Sequence, residues 1–94
     1  MYGTVMIGRM RDGFEGFERL KADWEVERGP QVAGWVDSFA LRGDDGGTVV
    51  LCTRFESKES YVALSDDPEQ ARWYEERIAP LLDGEPQWID GSWD

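Results

Sequence analysis

The sequence predicts an α+β fold, with a four-stranded antiparallel sheet and two helices on one face of it. Three observations predict this. Patterned segments follow the order strand, helix, strand, strand, helix, strand. The chain has 94 residues, which suits a single domain spanning 1–94. A Gly- and Asp-rich stretch between the second and third strands has the chemistry of a hairpin turn. A βαββαβ order in so short a chain is the ferredoxin-like plan.

Each element has its own justification. In "YGTVMIGRM", Tyr2 to Met10, Val5 and Ile7 point one way and Thr4 and Met6 the other, so both sides are fairly apolar, as in a covered sheet. Residues 14–28 predict a helix, with Asp12 as N-cap. Phe14, Phe17, Leu20 and Trp24 form its apolar stripe, and Gly29-Pro30 stops it. From Val32 to Leu41, strict alternation puts Trp35, Asp37, Phe39 and Leu41 on one face and Val36, Ser38 and Ala40 on the other. "RGDDGG" then turns the chain into "TVVLCTRF". The consecutive Val49, Val50, Leu51 and Cys52 suggest a central strand buried on both sides, with Cys52 a small buried hydrophobe.

Ser57 caps a short helix carrying Tyr61 and Leu64. After "SDD", a capping box of Asp67, Pro68 and Gln70 starts a second helical piece. Its stripe is Ala71, Tyr74, Ile78 and Leu81, and Pro80 kinks or ends it. "QWIDGSW" is a last short strand. No internal repeat is visible. Trp35, Phe39 and Trp88 are too apolar to face water, so a second copy of the chain covering the free sheet face is expected. Sequence does not decide which face each of them occupies.

Composition excludes several function classes. Hydrophobic residues make up 40% and charged residues 32%, a globular composition. The net charge of −10 argues against a nucleic-acid backbone and against anionic membrane surfaces. No run approaches the ~18 apolar residues of a spanning helix, and the start lacks the basic and apolar regions of a signal peptide. A cytoplasmic protein is expected, which the single Cys52 fits. The chain contains no His and no Asn. Ser-His-Asp and Cys-His nucleophile systems are therefore excluded, as is any His-ligated metal or haem site.

Three stretches give the chain a family resemblance. "RFESKESYVAL" puts an aromatic residue, a short polar turn and a helix start in succession. "DDPEQARWYEERIAPLL" has a Pro-containing turn, an aromatic pair and a terminal Leu-Leu. The third stretch is the small-residue hairpin before the third strand. Together they resemble the antibiotic biosynthesis monooxygenase-like family of dimeric α/β barrels, over nearly the whole chain.

The resemblance implies a homodimer joined through the sheet face. It also implies a monooxygenase that needs no metal, flavin or other cofactor: an aromatic or quinone-like substrate loses a proton and its carbanion meets O₂ in a cavity between helices and sheet. By position, Tyr61 matches the family's helix-start tyrosine and is the catalytic candidate. Phe55 stands where the family often has Trp, so an indole donor is lost. The family's catalytic Asn near the third strand has no counterpart, and neither do the His and Asn of its haem-degrading members. Phe55, Trp24 and Arg72 are the candidate substrate-binding residues, Arg72 as an orienter of an anionic substrate.

Blander readings stand beside these roles. Tyr61 is also what an ordinary half-buried helix tyrosine looks like. Arg72 is also a surface residue among Glu69, Glu75 and Glu76, and Trp24 plain core. A non-catalytic binder or stress-response protein of the same fold is the alternative function.

Overall fold

A computed structural model describes residues 1–94. Strand β1 (Tyr2–Arg9) leads to helix α1 (Glu15–Asp23), β2 (Trp35–Arg42), β3 (Thr48–Phe55), α2 (Lys58–Ser65), α3 (Pro68–Trp73) and β4 (Gln87–Ser92). The sheet order is β2-β3-β1-β4 and every pairing is antiparallel. This is the ferredoxin-like plan expected from the sequence, with the second helical segment divided into α2 and α3 at Asp66-Asp67.

Proline shapes both long helical segments. Past α1, Trp24–Arg28 is a widened π turn in which Gly29 N–H donates to the Trp24 carbonyl, and Gly29–Gln31 closes as a 3₁₀ turn. Past α3, Tyr74–Ile78 is again a π turn, with Ala79 N–H donating to the Tyr74 carbonyl, and Ala79–Leu81 is again 3₁₀. The cause is common to both. Pro30 and Pro80 lack the N–H for a bond four residues back, and their rings would strike that carbonyl. Widening the preceding turn removes the conflict. An aromatic, Glu, three residues, a small residue and Pro thus recur, a short repeat that the linear reading missed.

The widened turn also explains the core of the second segment. Trp73 and Ile78 are both buried. Residues five apart lie on different sides of a regular α-helix but approach one face across a π turn. Trp73 was therefore absent from the predicted stripe, which Tyr74, Ile78 and Leu81 otherwise satisfy. These side chains join Met6, Met10, Phe17, Leu20, Val49 and Leu82 in one cluster between helices and sheet.

Local predictions divide. Ser57 caps α2 by accepting from Ser60 N–H at 3.2 Å, and Asp67 caps α3 by accepting from Glu69 N–H at 2.9 Å. The capping box does not close, because the Gln70 side-chain oxygen accepts from Arg28 Nη2 at 3.2 Å. Asp12 does not cap α1; Phe14 occupies that position with no side-chain bond. In β2 a bulge at Val36 breaks the alternation, since Trp35 pairs with Phe55 but Asp37 with Arg54. One extra residue reverses the facing of what precedes it. Trp35 therefore joins Ser38 and Ala40 on the helix side, while Asp37, Phe39 and Leu41 face away.

The face turned from the helices is open in the single chain. Val5, Ile7, Phe39, Leu41, Val50, Cys52 and Ile89 share it by register. Phe39, Leu41 and Ile89 are 45%, 65% and 50% exposed. Cys52 is thus half-buried on this face rather than in the core, and its partial burial pushes the thiol upward. Trp88 lies on the opposite face, opposite Met6 in the register.

Candidate functional site

The junction that carries Phe55 and Tyr61 sets the geometry. β3 ends at Phe55, Glu56 turns the chain, and Ser57 in extended backbone starts α2. Glu56 N–H donates to the Gly34 carbonyl at 2.7 Å, which ties the turn to the entry of β2. Two residues suffice because the Ser57 hydroxyl satisfies a free helix N–H. The result fixes Tyr61 one turn into α2, with its ring edge-on to Phe55 at 5.5 Å. Phe55 itself is 1% exposed.

A cavity of about 340 Å³ opens between the helices and the sheet, a volume suited to a small organic ligand. Its walls are mostly rings and aliphatic chains: Phe17, Trp24, Phe55, Tyr61, Trp73, Tyr74 and Trp88 are the aromatic ones. Trp24 meets Trp73 and Trp35 edge-on at 6.0 Å each, and Tyr74 stands 5.8 Å from Trp88.

The sheet side of the wall carries an ordered row of polar groups. Thr4, Ser38, Thr53 and Tyr61 line the cavity. Ser38, Thr53 and Thr4 are register neighbours on successive strands, and Asp90 on β4 is next after Thr4. The Trp35 indole N–H donates to Ser38 Oγ at 3.1 Å, and Ser38 Oγ lies 3.4 Å from Thr53 Oγ1. Thr4 Oγ1 donates to Asp90 Oδ1 at 2.7 Å and Tyr61 OH donates to the same oxygen at 2.9 Å. Burial, then the Asp90 carboxylate, push the Tyr61 hydroxyl above its ordinary range. Burial and the nearby Glu75 and Glu85 do the same to Tyr74.

The structure brings three of the four sequence candidates together: Tyr61, Phe55 and Trp24 line the cavity. Arg72 does not. It is an exposed residue of α3 outside the lining, because its neighbour Trp73 turns into the core and successive helical residues diverge around the axis. Lys21 supplies the cation in the lining, with Glu75 the acid and Gln70 the amide. Sequence reasoning missed Lys21, the hydroxyl row and Asp90. The alternation of β1 and β3 signalled the row, since Thr4 and Thr53 fall on the same side as Met6 and Leu51. Arg54 faces away from the cavity, as its place before Phe55 requires, and is bound to Asp37 through two bonds of 2.5 and 2.7 Å.

No family model matches the sequence, and no curated protein is similar to it by sequence. Solved structures are similar to it in fold. A monooxygenase from the gene ActVA-Orf6 of Streptomyces coelicolor, determined with the ligand nanaomycin D, superposes with a TM-score of 0.72 at 22% identity, over 99% of this chain and 87% of that one. A Nitrosomonas europaea protein assigned as an antibiotic biosynthesis monooxygenase gives 0.71 at 15% identity, over 96% and 86%. Rv0793 of Mycobacterium tuberculosis gives 0.65 at 18%, over 97% and 92%. The chain has the antibiotic biosynthesis monooxygenase-like fold. The resemblance read from three stretches of sequence is thus met at the level of the fold. No helix is long and apolar enough to cross a membrane.

Proposed function

We propose that this protein is a cofactor-independent monooxygenase that oxidises an aromatic or quinone-like small molecule with O₂, acting as a homodimer joined through the open sheet face. The observation that carries this reading is the cavity, about 340 Å³ of mainly ring-lined space with a row of hydroxyls and Tyr61 on its sheet side and Lys21, Ser65, Gln70 and Glu75 from the helices. Such a pocket suits a flat polycyclic phenol: rings bury the apolar body and hydroxyls meet its oxygens. Excluding water and fixing orientation are what a carbanion and O₂ need from a protein. In the overall change a CH₂ between aromatic rings and O₂ give C=O and water.

One observation favours the alternative, a non-catalytic binder of the same fold. The strand-end position carries Phe55, which has no donor, and the Tyr61 hydrogen is already directed to Asp90. Oxygen consumption by purified metal- and flavin-free protein, over a panel of anthrones and naphthols with Tyr61→Phe alongside, separates the two. Uptake above the protein-free blank that falls in Tyr61→Phe supports the enzyme. Saturable binding with uptake equal to the blank supports the binder.

A further inference from the structure

The polar row does not end in the cavity. It runs across all four strands of the sheet, Ser38, Thr53, Thr4 and Asp90, and it terminates on an exposed carboxylate of the edge strand. Two cavity-lining hydroxyls, Thr4 and Tyr61, donate to a single oxygen of that carboxylate. Convergent donation to one oxygen is a directed arrangement, and the residue's exposure keeps the carboxylate open to water.

We infer that Asp90 is the terminal proton acceptor of the site, drawing the acidic proton of a phenolic or anthrone-type ligand through Tyr61. The inference rests on the functional reading above. With its hydrogen directed to Asp90, Tyr61 presents only lone pairs to anything in the cavity. A ligand C–H bond breaks and its electron pair stays on the ligand as a delocalised carbanion. Its proton passes to the Tyr61 oxygen while the Tyr61 hydrogen passes to Asp90 Oδ1. The tyrosine ends neutral, and negative charge has moved from Asp90 to the ligand. No oxidant takes part in this step.

Physical chemistry favours a relay over a free tyrosinate. Burial and Asp90 both disfavour the phenolate, so Tyr61 alone is a poor base, whereas a hydroxyl that gives and takes a proton together never carries the charge. Thr4 donates to the same Asp90 oxygen at 2.7 Å and also lies within hydrogen-bonding reach of Tyr61, which offsets part of the upward push. The other groups near the pair are Tyr2 on β1, 5.6 Å from the Tyr61 ring, and Lys58 on α2, 5.8 Å from the Tyr2 ring. Both leave the Tyr61–Asp90 bond intact.

An anaerobic titration with a dihydroxyanthrone tests this, because the step precedes any reaction with O₂. Binding is read by quenching of indole fluorescence, and ionisation by the visible band of the ligand carbanion. The wild-type protein is expected to bind and to develop the band at a pH where the free compound is neutral. Asp90→Asn and Tyr61→Phe are expected to bind within about threefold of wild type, while band formation slows by roughly 10²-fold or more, the usual worth of a positioned acid–base group. A merely structural role for Asp90 would move binding and melting temperature together and leave the band of the bound ligand intact. An undiminished band in Asp90→Asn overturns the relay and leaves the proposed function standing. Binding to wild type without a band overturns the relay and favours the non-catalytic binder. Absence of binding to wild type removes the functional reading, and the relay falls with it.

Discussion

Tyr61 holds its proton more tightly than a free tyrosine, whose ordinary value is 10.0, because the phenolate would lie half-buried beside a carboxylate. Removing that carboxylate removes one of the two main causes, so Asp90→Asn is expected to move Tyr61 back down toward 10. The tyrosinate absorption band, titrated against a Tyr61→Phe reference to subtract Tyr2 and Tyr74, measures it. The sign for stability follows. A raised folded-state value means that the folded chain keeps this proton longer than the unfolded chain. The contribution is whole below pH 10 and is lost as pH rises through the folded value. Asp90→Asn should therefore lose less stability than wild type between neutral pH and a pH above 10, which urea denaturation at the two pH values measures.

Gly34 makes a second residue-scale case: its φ is +82°, and an added Cβ would stand 2.2 Å from Ser60 Oγ. Gly34→Ala should cost about 1–2 kcal/mol from backbone alone, with displacement of α2 in addition, and a fall in melting temperature reports it. Sequence showed which rings would meet here, because Phe55 and Tyr61 are fixed by a two-residue turn. It did not show Asp90, whose place beside Thr4 depends on the register of β4, set 86 residues away.

At the scale of elements, the two proline-ended helices were legible and their widened turns were not. Gly29-Pro30 and Pro80 mark the ends plainly, yet how a helix absorbs a proline depends on what packs around it. The same holds for Arg28, which the sequence offers as one more helix cation. Its side chain is 11% exposed and holds three groups at the start of α3: Asp67 at 3.6 Å, Glu69 at 3.1 Å and Gln70 at 3.2 Å. This clasp competes successfully for Gln70, which is why the capping box stays open. It also joins the end of α1, with Trp24, to α3, with Gln70 and Trp73, and so fixes two walls of the cavity relative to each other. Arg28→Ala should destabilise the protein by about 1–2 kcal/mol, between an exposed pair and a buried one, since Glu69 is largely in water. Urea denaturation measures it, and the loss should shrink when Glu69 and Gln70 are already Ala, because the three then no longer couple.

The whole molecule poses the problem of its uncovered sheet face. Alternation predicted an apolar face in need of cover, and one bulge at Val36 decides its membership, sending Trp35 inward and leaving Phe39 and Leu41 outward. A stable pairing of two copies needs roughly 800 Å² per partner, which one face of a four-stranded sheet can supply. The Arg54–Asp37 pair crosses this face with the guanidinium over Phe39 at 5.8 Å, and two of its donors already meet both oxygens of the carboxylate. Each copy carries a net charge of −10, so like-charge repulsion opposes association and salt should strengthen it by screening. Sedimentation equilibrium should therefore find a dimer that tightens as salt is raised. Phe39→Glu with Leu41→Glu should give a monomer at every salt concentration with an unchanged far-ultraviolet spectrum, because both side chains already meet water in the single chain and neither supports its core. A wild-type monomer at high protein and high salt would count against the dimer, as would a double variant that still pairs.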